Sequence, residues 1–296
     1  MDIGLRLEQE LEQAVAHAAA DDCPPLLAQA LRHAVFPGGA RIRPRLVLAV
    51  SNACASRNAT AATKNASAAI TFASAVEILH CASLVHDDLP CFDNSALRRG
   101  KPSVHAAFGE RLAVLAGDAL IVMAFETLTQ LATTSPQRMV QLISLVARYV
   151  GAPFGIVAGQ AWECEERVSL SHYQQAKTGA LFVAATSAGA LASGADPVQW
   201  ATLGGKIGEA YQVADDLRDV LCDEAELGKP IGQDATRLRP NAAAQLGIKG
   251  AKQHLEELVH GAVNAVPDCP GKDELRAIIE AQTRQFVPKQ LATLAA

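Results

Sequence analysis

The chain has 296 residues, a formal net charge of −5, half of its residues hydrophobic and only 4% aromatic. No basic stripe is present, which excludes nucleic acid as a partner. Abundant Ala and Leu with few aromatics favour packed helices over a sheet. Seven cysteines, at positions 23, 54, 81, 91, 164, 222 and 269, are scattered and form no CxxC pair. They predict reduced thiols in a cytoplasmic protein, not a disulfide frame or a zinc site. The acidic, amphipathic start MDIGLRLEQELEQ is not a signal peptide.

In chain order, Leu5, Leu7, Leu11 and Val15 mark a helix over 3–20 with one apolar stripe. Pro24-Pro25 opens a second helix, which stops at Phe36-Pro37-Gly38-Gly39. Arg41, Arg43 and Arg45 follow, leading a helix that runs to about Ser56. Residues 57–66 read as a polar loop, and a long apolar helix then spans about Ser67 to Leu89, roughly 35 Å at about 1.5 Å per residue. A charged loop covers 94–103, and helical patterns fill 109–133, 137–160, 171–193 and 198–221. Ser135-Pro136 and Asp196-Pro197 each offer a capping side chain followed by proline at the first helical position. Residues 223–241 read as loop, and helices at about 247–265 and 272–293 close the chain. No strand period and no low-complexity linker appears. These features predict one all-α domain over 1–296, a helical bundle around a central cavity.

One segment warrants a membrane test. Thr178 to Ala195 carries no charge, but it is mostly Ala, Gly, Ser and Thr. A spanning helix needs about twenty predominantly apolar residues. Tight packing inside a helical core explains the segment better, so no transmembrane segment is expected.

Two acidic clusters carry the chemistry. The first lies in HDDLPCFDNSALRR, where Asp87, Asp88 and Asp93 are followed by Arg98 and Arg99. On an ideal helix Asp87 and Asp93 would sit about 120° out of line. Pro90 breaks the helical hydrogen bonding between them, and the distortion can bring Asp93 round beside Asp87. The second cluster is Asp215, Asp216 and Asp219. Asp215 and Asp219 share one helix face amid Val213, Ala214, Leu217 and Val220. Like charges at that spacing destabilise a helix unless neutralised. Magnesium takes carboxylate oxygens and completes its shell with water and phosphate. Two clusters, each closing an apolar helix, suit a clamp on a magnesium-bridged diphosphate with an apolar tail. Arg41, Arg43, Lys177 and Lys229 supply further cations for two diphosphates, and His80 lies two turns below Asp87. Each cation or histidine taken singly also fits a solvated charge or a satisfied core residue.

The stretch HDDLPCFDNSALRRGKPSVH resembles the first aspartate-rich motif of the trans-isoprenyl diphosphate synthase (polyprenyl synthetase) family, and YQVADDLRDV resembles the second. GGARIRP, GQAWE, KTGALF and LGKPIGQD fall at the expected intervals. The likeness covers nearly the whole chain. It is strongest to the bacterial branch forming geranylgeranyl diphosphate for carotenoid and bacteriochlorophyll synthesis. The resemblance implies an all-α prenyltransferase, usually a homodimer. It makes Asp87, Asp88, Asp93, Asp215, Asp216 and Asp219 the expected ligands of three magnesium ions. Arg98, Lys177 and Lys229 resemble the residues that bind the allylic diphosphate. Arg43, His80 and Arg99 resemble those that bind isopentenyl diphosphate. Thr178 and Gln212 resemble groups lining the reacting centre.

The chain departs from the family pattern at Ala40, where most members carry lysine in the isopentenyl site, and Arg41 stands next to it as a substitute. Gln233 replaces a common lysine, and the C-terminal PKQLATLAA lacks a basic ending. Members that stop at farnesyl usually carry a bulky aromatic near Ala82 and Ser83. Small residues here imply a four-isoprene product, with farnesyl as the alternative. A non-catalytic partner subunit and a terpene cyclase are the competing readings. Both aspartate clusters stand against the first, and a second diphosphate site stands against the other.

Overall fold

The computed structural model describes residues 3–55, 59–166, 170–221, 241–284 and 286. Helix α1 (Ile3–Ala18), α2 (Pro25–Val35) and α3 (Ile42–Cys54) precede the long α4 (Ala59–Asp87). A two-strand hairpin, β1 (Leu97–Arg98) with β2 (Lys101–Pro102), and short α5 (Val104–Phe108) connect α4 to α6 (Glu110–Thr129). Then come α7 (Pro136–Val150), α8 (Ile156–Ala161), α9 (Leu170–Gln174), a π-helical turn (Gln175–Gly179), α10 (Ala180–Ala192) and α11 (Ala201–Leu221). The last described helices are α12 (Ala242–Asn264) and α13 (Lys272–Arg284). The expected all-α bundle is thus observed.

Helix α4 is the central post, with α1, α2, α3, α6, α7 and α10 packed on it. It contains no Gly or Pro, and its described residues from Ala68 to Leu79 are all buried. A helix buried on every face belongs inside a core, and its one carboxylate in this stretch, Glu77, is paired with Arg41. Every residue of α10 except Val183 is buried, and its small side chains let it lie close to α3 and α11. This accounts for the uncharged stretch at 178–195. Two other helical stretches, Asn65–Asp87 and Glu110–Thr129, are long and apolar enough to cross a membrane. Of their most apolar windows, 83% and 44% respectively is buried inside the fold.

Several element boundaries differ from expectation. Helix α4 starts at Ala59, inside the stretch read as polar loop. Four alanines among residues 59–66 hold helical propensity despite the Thr, Lys and Asn between them. The helix expected over 137–160 breaks at Gly151-Ala152-Pro153-Phe154-Gly155, giving α7 and α8. A residue before proline is steered out of the α region. The loop at 94–103 contains the small hairpin. Helix α12 begins at Ala242, with Gly247 in a non-helical conformation inside it. Asp196 does cap the following turn, accepting from the Val198 amide, whereas Ser135 makes no capping hydrogen bond. The loop read at 223–241 and the C-terminal part of the helix read at 272–293 lie almost wholly outside the described residues.

Candidate active site

One cavity of about 890 Å³ gathers most of the residues singled out by sequence. Asp87 and Asp93 line it from the end of α4, Asp215 and Asp219 from α11, and Lys177 and Thr178 from the π-helical turn. Arg43, His80, Ala82, Ser83, Arg98, Arg99 and Gln212 also face it.

The turn after α4 folds back as the proline predicts. The Asp93 amide donates to the Asp87 carbonyl at 2.8 Å, and the Asn94 amide to the Leu89 carbonyl at 3.0 Å. This brings the Asp87 and Asp93 carboxyls into hydrogen-bond contact. Burial raises the Asp87 pKa above the usual carboxylate range; Lys177 opposes the rise, and the nearby Asp93 charge adds to it. Such a pair binds either a proton or a cation. Gln160 Nε2 donates to Asp87 Oδ1 at 3.0 Å, and Lys177 Nζ lies 3.5 Å from the same oxygen.

Asp88 and Asp216 do not line the cavity. Asp88 is 2% exposed and is held by Arg98, whose Nε reaches both carboxylate oxygens at 3.1 and 3.2 Å while Nη2 also donates to Oδ1. Asp216 is 1% exposed. It accepts from Gln212 Nε2 at 2.9 Å and from the Ala242 amide at 2.7 Å, which pins the start of α12 to α11. Thr178 Oγ1 donates to Gln212 Oε1 at 2.7 Å, so one chain of hydrogen bonds fixes the Gln212 amide. In each Asp-Asp pair the first carboxylate faces the cavity and the second braces the scaffold.

Another part of the lining is cationic. Arg43 Nη1 lies 3.4 Å from His80 Nε2, and its guanidinium sits 4.5 Å from the centre of the Phe182 ring. Its Nε is buried without a hydrogen-bond partner. Burial lowers the Arg43 pKa. Burial also drives the His80 pKa well below its usual value, and Arg43 and Arg99 push it the same way, so the imidazole stays neutral. Arg99 adopts a left-handed conformation, φ 55°, and donates to the Gly38 carbonyl. The Arg99 guanidinium lies close over Gly39, where a Cβ would stand 2.6 Å from its central carbon and push the side chain aside. Two guanidiniums and a neutral imidazole gathered on one stretch of the lining can hold an anion.

Arg41 does not join them. Its guanidinium is buried behind the wall, paired with Glu77 at 2.7 Å and Glu8 at 2.9 Å, and donating to the Val35 carbonyl at 2.9 Å. It therefore cannot stand in for a lysine at position 40. Lys229 and Gln233 lie outside the described residues.

Sequence reasoning missed Gln160, Glu163 and Tyr173, although GQAWE contains the first two. Their spacing of three residues is the signal, because it places them one helical turn apart. Among the described residues no three His, Cys, Asp or Glu side chains converge to hold a metal ion by themselves. The acidic groups instead form pairs across a cavity, which leaves open positions on any cation they bind.

The sequence pattern described as polyprenyl synthetase matches residues 24–275. The chain is 50% identical over 287 residues to a geranylgeranyl diphosphate synthase of Cereibacter sphaeroides, covering 97% of each chain. It is 48% identical to one of Rhodobacter capsulatus over the same length, again covering 97% of each. Among solved structures, a geranyltransferase from Helicobacter pylori complexed with magnesium and isoprenyl diphosphate superposes with a TM-score of 0.80. That match has 30% identity and covers 94% of this chain and 96% of the other.

Proposed function

The chain belongs to the polyprenyl synthetase family, and we propose that it condenses isopentenyl diphosphate with an allylic diphosphate to form geranylgeranyl diphosphate. One observation carries this reading: a single cavity is lined both by two acidic pairs and by Arg43, His80 and Arg99. We take 1–296 as one isoprenyl diphosphate synthase domain.

Asp87 and Asp93 on one side, and Asp215 and Asp219 on the other, suit the oxygen-only ligand set of magnesium. The resemblance to the family supports three such ions. When bound, magnesium neutralises the allylic diphosphate and so eases breakage of its carbon–oxygen bond. Asp88 and Asp216 act by holding Arg98, Gln212 and α12 in place. Lys177 and Arg98 face the leaving diphosphate, and the resemblance gives Lys229 the same role. Arg43, His80 and Arg99 hold the isopentenyl diphosphate, with neutral His80 offering a hydrogen bond but no charge. The allylic carbon–oxygen bond ionises first, giving diphosphate and an allylic carbocation, and the isopentenyl double bond then attacks that cation. A proton then departs to the released diphosphate, and Thr178 and Gln212 present their polar groups where positive charge develops. Closure around the reacting carbons keeps water away.

Ser83 lies one turn before Asp87 and donates to the His80 carbonyl at 2.8 Å, and its neighbour Ala82 also lines the cavity. Their small size leaves room for the growing tail beside α4. Ala82→Phe shortens the main product to farnesyl diphosphate; an unchanged product length, read by mass spectrometry, removes this role for position 82.

Val114, Leu115 and Val122 are exposed along α6, and this apolar face supports a homodimer. The free thiols of the described cysteines support a cytoplasmic setting, and the branch resembled supports a role in carotenoid synthesis. Substrate omission tests the reaction class. Diphosphate is released only when both substrates are present, whereas a cyclase releases it from the allylic substrate alone.

A further inference from the structure

We infer that Glu163 is a positioning residue that draws Lys177 away from Asp87 and so keeps Asp87 open to a metal–diphosphate ligand. This rests on the reading of Asp87 as a metal ligand. Lys177 Nζ lies 2.5 Å from Glu163 Oε1 and 3.5 Å from Asp87 Oδ1. Among the described residues these are the two carboxylates within ion-pair reach of the ammonium. Three elements converge on the contact: the short 3₁₀ turn Trp162–Cys164, α9 and the π-helical turn. Tyr173, from α9, donates its hydroxyl to the same Glu163 oxygen at 2.7 Å and so fixes the carboxylate. Glu163 and Lys177 side chains are only 18% and 21% exposed, so water screens the pair weakly.

The geometry makes Lys177 a competitor for Asp87. A lysine ammonium on a carboxylate occupies the oxygen that a cation would take. Glu163 settles that competition by accepting the ammonium. If Glu163 loses its charge, Lys177 needs to move only about 1 Å to pair fully with Asp87. Metal then has to displace an ion pair before binding.

Glu163→Gln tests this with Mn²⁺ as the probe, titrated by electron paramagnetic resonance in saturating inorganic diphosphate, where no turnover occurs. We expect the Mn²⁺ midpoint to rise about tenfold, the size of one charge-assisted hydrogen bond. In the condensation assay the same variant requires about tenfold more magnesium, and turnover recovers once magnesium saturates. That recovery separates competition from a damaged fold, which magnesium would not repair. Glu163→Asp keeps the charge and falls between parent and Glu163→Gln. Tyr173→Phe shifts the midpoint in the same direction by about two- to threefold, and it carries the test if Glu163→Gln does not fold. An unchanged Mn²⁺ midpoint in a folded Glu163→Gln variant overturns the inference, as does a loss of turnover that magnesium cannot restore. A parent protein that binds no Mn²⁺ with diphosphate overturns instead the reading of Asp87 on which it rests.

Discussion

Asp87→Asn lowers turnover by about three orders of magnitude or more, even in saturating magnesium. The substitution keeps the shape and removes one charge. Gln160 and Lys177 both converge on Asp87 Oδ1, and Asp93 packs beside it, so this carboxylate is the focus of the acidic wall. The fold itself does not need the charge. Burial already holds the Asp87 pKa above the usual range, which means the ionised form is disfavoured in the metal-free state. Asp87→Asn therefore leaves the thermal midpoint unchanged or slightly higher. Steady-state kinetics with a melting curve checks both halves. A variant that works at near-normal rates removes Asp87 from the chemistry, and one that melts much earlier makes it structural.

Arg41→Ala has the largest effect on stability, a loss of about 3–5 kcal/mol. Arg41 and Glu77 side chains are 5% and 2% exposed and lie 2.7 Å apart. Removing the guanidinium strands a carboxylate in the core, which is far costlier than losing a surface pair. Arg41 also stands at φ 48° ahead of α3, a conformation held by its three partners. Removing both charges restores much of the loss, so Arg41→Met with Glu77→Gln unfolds closer to the parent. Urea unfolding measures each variant. A cost under about 1 kcal/mol for Arg41→Ala would place this pair with ordinary surface ion pairs.

That pair shows where sequence reading reached its limit. Arg41, Arg43 and Arg99 look alike in a sequence, and only packing separates them. Arg43 and Arg99 face the cavity, while Arg41 turns back to Glu8 and Glu77. The same holds inside the Asp-Asp pairs. Neighbours on a helix point about 100° apart, so one carboxylate of each pair must leave the cavity, but the letters do not say which. The positions most open to sequence reading were those with a local physical cause. Pro90 folds Asp93 back onto Asp87, and four-residue spacing aligns Asp215 with Asp219. The helical bundle was legible because its cores repeat at helical periods. The break after α7 was less so, because Gly151 and Pro153 sit inside an otherwise helical pattern. Tyr173 reaches Glu163, and Glu163 reaches Lys177, across elements that sequence spacing does not connect.

Product length is the most direct test of the reaction. Purified protein, magnesium and isopentenyl diphosphate are incubated with dimethylallyl, geranyl or farnesyl diphosphate in turn, and product mass is read directly. A twenty-carbon diphosphate is the result predicted. A fifteen-carbon stop from dimethylallyl and geranyl diphosphate, with farnesyl diphosphate left unextended, or no product from any primer, would contradict it.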